Sequence, residues 1–110
     1  MDHKKVMLLV EDLYEEMELW YPKYRLEEAG YQPVVAGPEA RKVYSGKHGY
    51  PCRSDASVYD LKDQDFMGIV IPGGFAPDKL RRIPKVLGLV RNFMASGKLV
   101  AHICHGGWIC

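Results

Sequence analysis

The sequence has no uninterrupted apolar run longer than the five residues Val6-Met7-Leu8-Leu9-Val10. A membrane-spanning helix needs about 20, so no membrane partner is expected. Lys4-Lys5 ahead of the run imitate the start of a secretory leader, but Glu11-Asp12 stand where small cleavage-site residues belong. A cytoplasmic location is expected. Neither sign of charge dominates: 15 Lys and Arg against 14 Asp and Glu leave +1. That supplies no field for specific nucleic-acid binding or for a polybasic partner. No C-x-x-C occurs, so neither a zinc knuckle nor a thioredoxin motif is indicated, and Cys52, Cys104 and Cys110 cannot all pair within the chain. The phosphate-loop spacing with its lysine is missing. Repeats, linkers and low-complexity tracts are also missing. What remains, 47% apolar and 26% charged residues in a chain of 110, is one soluble globular domain or part of one.

Strand-like and helix-like segments alternate. Val6 to Val10 is apolar on both faces, as suits an inner strand of a parallel sheet. Met17, Trp20, Tyr21 and Tyr24 follow at helical spacing and predict a buried stripe. Pro22 belongs in a first turn, which predicts a helix start between Glu18 and Tyr21, and Gly30 predicts its cap. Gln32 to Gly37 reads as a second strand, completing a right-handed crossover. Residues 38–57, punctuated by Pro38, Gly46, Gly49 and Pro51, predict an antiparallel hairpin at the sheet edge. Gly68 to Ile71 reads as a buried strand ended by Pro72-Gly73-Gly74. A short helix from Ala76 to Arg82 and a longer one from Pro84 follow, the latter with Val86, Leu87, Val90, Phe93 and Met94 as its apolar face. Leu99 to Ile103 reads as a last inner strand, and His105 to Ile109 as the start of another helix. This is an α/β pattern with a mainly parallel sheet in flavodoxin-like order: second strand, first strand, Gly68 strand, Leu99 strand. Such sheets place their site beyond the carboxyl ends of the strands, where Glu11–Glu18, Pro72–Asp78 and Cys104–Gly107 would meet.

Cys104 sits between a strand and a presumed helix, the arrangement of a nucleophile elbow. A helix start lowers a thiol pKa and favours the thiolate. The elbow needs small residues two places either side; Gly106 provides one, and His102 does not provide the other. Cys52 and Cys110 read as small buried hydrophobes. His105 points away from its neighbour on an elbow, His102 reads as a core histidine, and His3 and His48 carry no signal. Gly73 and Gly74, with the His105 N–H, could form an oxyanion hole, or the glycines could be a plain turn. Of Glu15, Glu16 and Glu18, at most one should face inward; Glu18, at the helix entrance, is preferred. A carboxyl group held near a thiolate could keep a proton for exchange.

Four ordered stretches, Glu15–Pro22, Ser45–Tyr50, Pro72–Arg81 and Ala101–Gly106, resemble the ThiJ/PfpI superfamily over nearly the whole chain. The branch most similar is that of the PfpI-type intracellular proteases and their stress-protein relatives. The resemblance implies a flavodoxin-like three-layer sandwich related to class I glutamine amidotransferases. It implies Cys104 as nucleophile, Glu18 as its acidic partner, His105 as the histidine that follows, and Asp78 as an acid supplied to His105 from an adjacent subunit. A homo-oligomer, dimer to hexamer, follows from that last role. Implied activities are peptide hydrolysis, conversion of glyoxals to hydroxy acids, repair of glycated adducts, and chaperone or redox-sensing roles, with no metal or organic cofactor.

Family members are about half as long again, so a fragment is expected, with an exposed apolar patch beside the last strand. Three functions are expected to compete. One is a cysteine hydrolase acting on glyoxals, glycated adducts or peptides. Another is a stress protein whose Cys104 is oxidised to a sulfinic acid stabilised by the nearby acid. The third is an inactive fragment.

Overall fold

A computed structural model describes residues 4–103, 106, 107 and 109. Strand β1 (Lys5–Leu9) runs between two parallel neighbours, β2 (Gln32–Gly37) and β6 (Gly68–Ile71). Leu8 faces Val35 on one side and Val70 on the other. Both faces of β1 are therefore covered, and Val6 through Val10 are at most 2% exposed. Each such side chain contributes roughly 1.5–3 kcal/mol on burial. The full sheet has the order β5-β2-β1-β6-β7, with β5 (Ala56–Ser57) and β7 (Leu99–His102) at its edges and every pairing parallel. The four-strand order read from the sequence is present. The added β5 is two residues long, too short to leave a periodic signal.

Helices cover both faces. Helix α1 (Glu16–Glu28) lays Leu26 against Val6, Leu8 and Val70. Helix α3 (Pro84–Ala95) packs Val86, Leu89, Val90 and Phe93 into the larger core with Met7, Leu9, Ile69 and Ile71. A short α2 (Ala76–Leu80) joins β6 to α3. This is a flavodoxin-like α/β fold.

Several expectations need correction. Helix α1 starts at Glu16, so Pro22 lies in its interior rather than its first turn. The position of that start comes from long-range contacts: the Glu15 N–H donates to the Gly73 carbonyl, and the Glu16 and Glu18 side chains bond to other segments. Those contacts outweigh the one backbone bond that an internal proline removes. The stripe Met17, Tyr21 and Tyr24 faces water at 73%, 69% and 57% exposure, and Leu19 is the residue that α1 buries. On α3, Leu89 takes the core position expected of Leu87 and Met94, which are exposed. Helix α2 ends at Leu80, two residues before Arg82.

The hairpin, β3 (Val43–Ser45) with β4 (Pro51–Arg53), is a separate two-stranded sheet rather than an edge of the main one. It hangs over the carboxyl end of β1 through the Leu13 N–H to Ser45 carbonyl bond and the Tyr14–Gly46 bridge. Cys52 is buried in it as a free thiol, and burial, aided by the Asp55 charge, pushes that thiol up to about 11. β7 is an edge strand, not an inner one: among the described residues nothing pairs with its far side. Leu99 and Ile103 are accordingly exposed at 59% and 39%.

Leu8→Ala should cost about 2–5 kcal/mol in urea unfolding, whereas Leu99→Ser at the bare edge should change stability by less than about 1 kcal/mol.

Candidate functional site

Two loops leave the carboxyl ends of the central strands and lock together. The Glu15 N–H donates to the Gly73 carbonyl at 3.1 Å, the Phe75 N–H to the Leu13 carbonyl at 2.8 Å, and Tyr14 bridges Gly74. Gly74 has φ +82°, and a Cβ there would stand 2.6 Å from the Leu13 carbonyl oxygen, so only glycine fits. Leu13 itself has φ +68°, a strained conformation for a branched side chain. Into this junction α1 sends Glu18, whose Oε1 accepts the Gly73 N–H at 2.8 Å.

The three carboxylates at the start of α1 therefore separate. Glu18 reaches the Pro72–Gly74 turn, while Glu15 and Glu16 reach the hairpin. Lys47 Nζ is 2.7 Å from Glu15 Oε2. Glu16 Oε2 accepts the N–H groups of His48 and Tyr50 at 2.8 and 3.2 Å, and His48 Nδ1 lies 3.1 Å from Glu16 Oε1. Partial desolvation raises the Glu16 pKa, but hydrogen bonds from its own backbone, from His48 and from Tyr50 together hold it below its usual 4.5. Donor atoms of Glu15, Glu16 and His48 lie within 4.8 Å of one another, a spacing that suits a metal ion. Lys47 and two backbone N–H groups already occupy these carboxylates, so the trio acts as a clamp closing the hairpin onto α1. Sequence reading missed this clamp. Its signal was the Ser45–Tyr50 stretch, whose partner lies some thirty residues away.

At the third strand end, the Ile103 N–H donates to the Ile71 carbonyl at 3.3 Å, and the Gly106 N–H to the Ile103 carbonyl at 2.9 Å. A Cβ on Gly106 would stand 2.5 Å from the Ile71 carbonyl oxygen, so this position requires its glycine. Cys104 and His105 lie outside the described residues, as do Trp108 and Cys110, so the helix expected from His105 to Ile109 falls partly there. His102 is exposed rather than a core residue, because among the described residues nothing pairs with the far side of β7. Asp78, on α2, pairs within its own segment: Oδ1 with Arg81 at 2.8 Å and Oδ2 with Arg82 at 3.1 Å. Gly73 donates its N–H to Glu18, so an oxyanion would compete with that carboxylate for it.

The fold and this junction define a flavodoxin-like α/β protein with a carboxylate and a glycine turn where its inner strands end. Residues 4–110 match the DJ-1/PfpI family. The chain is 38% identical over 102 residues to a protein of Pyrococcus abyssi named a deglycase, covering 93% of this chain and 61% of that protein. It is 40% identical over 103 residues to a Bacillus subtilis protein whose name proposes a cysteine protease, covering 94% and 61%. A crystal structure of a two-domain protein with DJ-1/ThiJ/PfpI-like and ferritin-like domains, from Anabaena variabilis, superposes with a TM-score of 0.93 at 39% identity, covering 96% of this chain and 31% of that one. The chain belongs to the DJ-1/PfpI family. It spans about 60% of the length of the curated relatives it matches.

Glu18→Leu strands the Gly73 N–H and should cost about 1–3 kcal/mol; Glu18→Gln keeps an acceptor and should cost less than half as much in the same urea titration. Because folding lowers the Glu16 pKa, its carboxylate adds stability above the ordinary 4.5, and that share fades as pH falls through the folded value. The stability gap between the wild type and Glu16→Gln should stay level from pH 6 to 8 and narrow on acidification below 4.5.

Proposed function

We propose that the chain carries the site of a cysteine-dependent hydrolase acting on electrophilic carbonyls: glyoxals, glycated adducts or peptides. The observation that carries this reading is the delivery of Glu18 to Gly73 at the strand ends, with Gly106, whose N–H donates to the Ile103 carbonyl, packed against the Ile71 carbonyl at the end of the same strand. In this reading the Cys104 thiolate adds to the carbonyl carbon and forms a covalent adduct. Backbone N–H groups of Gly74 and His105 steady the oxygen as it gains negative charge; the Gly73 N–H joins them when Glu18 releases it. Glu18 or His105 passes the proton. Asp78 turns from its arginines to meet His105 of a neighbouring subunit, which makes the working form a homo-oligomer. No metal or organic cofactor is required for covalent catalysis by a thiolate. The names of the deglycase and protease relatives support the same class of chemistry.

Turnover of methylglyoxal and of a fluorogenic peptide tests this. Cys104→Ser should bring both rates to the blank, while Cys52→Ser should leave the more active of the two within about twofold of wild type. Wild-type rates in Cys104→Ser would end the proposal.

A further inference from the structure

Charge is unevenly placed along this nearly neutral chain. Residues 79–98 hold six Lys or Arg and no Asp or Glu. Arg81 and Arg82 pair with Asp78, and Lys98 Nζ donates to the Asp63 carbonyl at 2.6 Å. Lys85 pairs with no carboxylate among the described residues, and neither does Lys62, with which it lines a cavity of about 210 Å³. Lys85, Gly88 and Asn92 form one stripe of α3 along this cavity, and the turn at Asp63–Asp65 supplies the opposite wall. The walls are fixed to each other: the Asn92 side-chain amide donates to Asp63 Oδ1 at 3.2 Å, and Lys98 holds the same residue by its carbonyl. That turn precedes β6 and Lys98 precedes β7, so the pocket lies toward the amino ends of the strands, away from the cleft that holds Glu18. Gly88 makes the hollow. It sits inside α3 without a positive φ, and a Cβ there would meet nothing within 4 Å. Neither conformation nor packing calls for glycine, which destabilises a helix interior relative to alanine. What the missing side chain leaves is room.

The lining selects the ligand. Two ammonium groups against the single carboxylate of Asp63 give the pocket a net positive charge. That repels a metal ion, and a neutral ligand leaves the lysines without a counter-charge. A phosphate monoester carries a charge of about −1.5 to −2 at neutral pH and matches both lysines, where a carboxylate matches one. The rest of the wall is built for hydroxyl groups. Gln64 and Asn92 offer amides, and among the described residues nothing donates to Asp63 Oδ2, which can accept a hydroxyl. The cavity has the volume of roughly seven waters at about 30 Å³ each, room for a small molecule and not for a folded segment. We infer that the pocket between α3 and the Asp63–Asp65 turn binds a sugar or polyol phosphate, with its phosphate on Lys62 and Lys85 and its hydroxyls on Asp63, Gln64 and Asn92.

The test is a titration of the full chain with glucitol 6-phosphate, a polyol phosphate with no carbonyl for a thiolate to attack. The Gly88 backbone amide and the Asn92 side-chain amide are followed in ¹H–¹⁵N spectra at constant ionic strength. Inorganic phosphate and glucitol are titrated in parallel. Saturable shifts are expected, with the polyol phosphate bound at least about tenfold more tightly than inorganic phosphate and glucitol causing none. Lys62→Ala and Lys85→Ala should each weaken binding several-fold, while Arg91→Ala, a cation of the same helix outside this pocket, should not. Gly88→Gln should remove binding and raise the urea midpoint, because glutamine is the better helix former and fills the hollow. The spectra themselves report whether each variant is folded. Inorganic phosphate bound as tightly as the polyol phosphate overturns the proposal, as do shifts that fail to saturate. A folded Lys62→Ala, Lys85→Ala or Gly88→Gln protein that binds as the wild type does also overturns it. So does an equal loss in Arg91→Ala, which would make the attraction one of diffuse helix charge, or a polyglutamate peptide that binds the same lysines more tightly, which would make the pocket part of a protein-docking surface.

Discussion

The junction between the loops at residues 13–15 and 73–75 is the constraint on which the rest of the molecule depends. Two backbone hydrogen bonds and one carboxylate join the ends of β1 and β6 there. A hydrogen bond to a charged acceptor contributes about 1.5–3 kcal/mol, so the Glu18 bond alone is a sizeable share of a small domain's stability. The junction also sets direction. It fixes the first turn of α1, and with it the side to which each of three successive carboxylates points. Glu18 enters the strand-end cleft, while Glu15 and Glu16 reach the hairpin that hangs over it.

This explains which parts of the structure could be read from the sequence. The inner strands were legible because burial on both faces demands continuous apolar runs, and the runs at Val6 and at Gly68 have no other reading. The place of the site was legible for a related reason: a parallel sheet ends its strands at one rim, and glycines and carboxylates collect there. The start of α1 was not legible. Pro22 signals a first turn by local rules and a start between Glu18 and Tyr21, yet long-range bonds from Glu15, Glu16 and Glu18 start the helix at Glu16. The burial of α1 was misread for the same cause. Helical spacing of Met17, Trp20, Tyr21 and Tyr24 identifies a face but not the side on which the sheet lies, and the rotation fixed by Glu18 turns Leu19 inward instead.

Exposure then separates into two kinds. At β7 the apolar residues are bare because, among the described residues, nothing pairs with its far side, a consequence of topology alone. On α1 and the hairpin they are bare although the surrounding structure is closed and hydrogen-bonded, with Tyr14 and Trp20 linked through their polar atoms to Tyr50. Family membership accounts for the fold and for the strand-end cleft.

The proposed function requires Cys104 to be a reactive thiolate. The most direct measurement is the rate of Cys104 alkylation by iodoacetamide between pH 4 and 10, read by peptide mass spectrometry in the folded and the urea-unfolded chain. The account predicts an inflection for the folded protein well below the ~8.5 of a free thiol, moving up to that value on unfolding. A folded-state inflection at or above the unfolded one would contradict it.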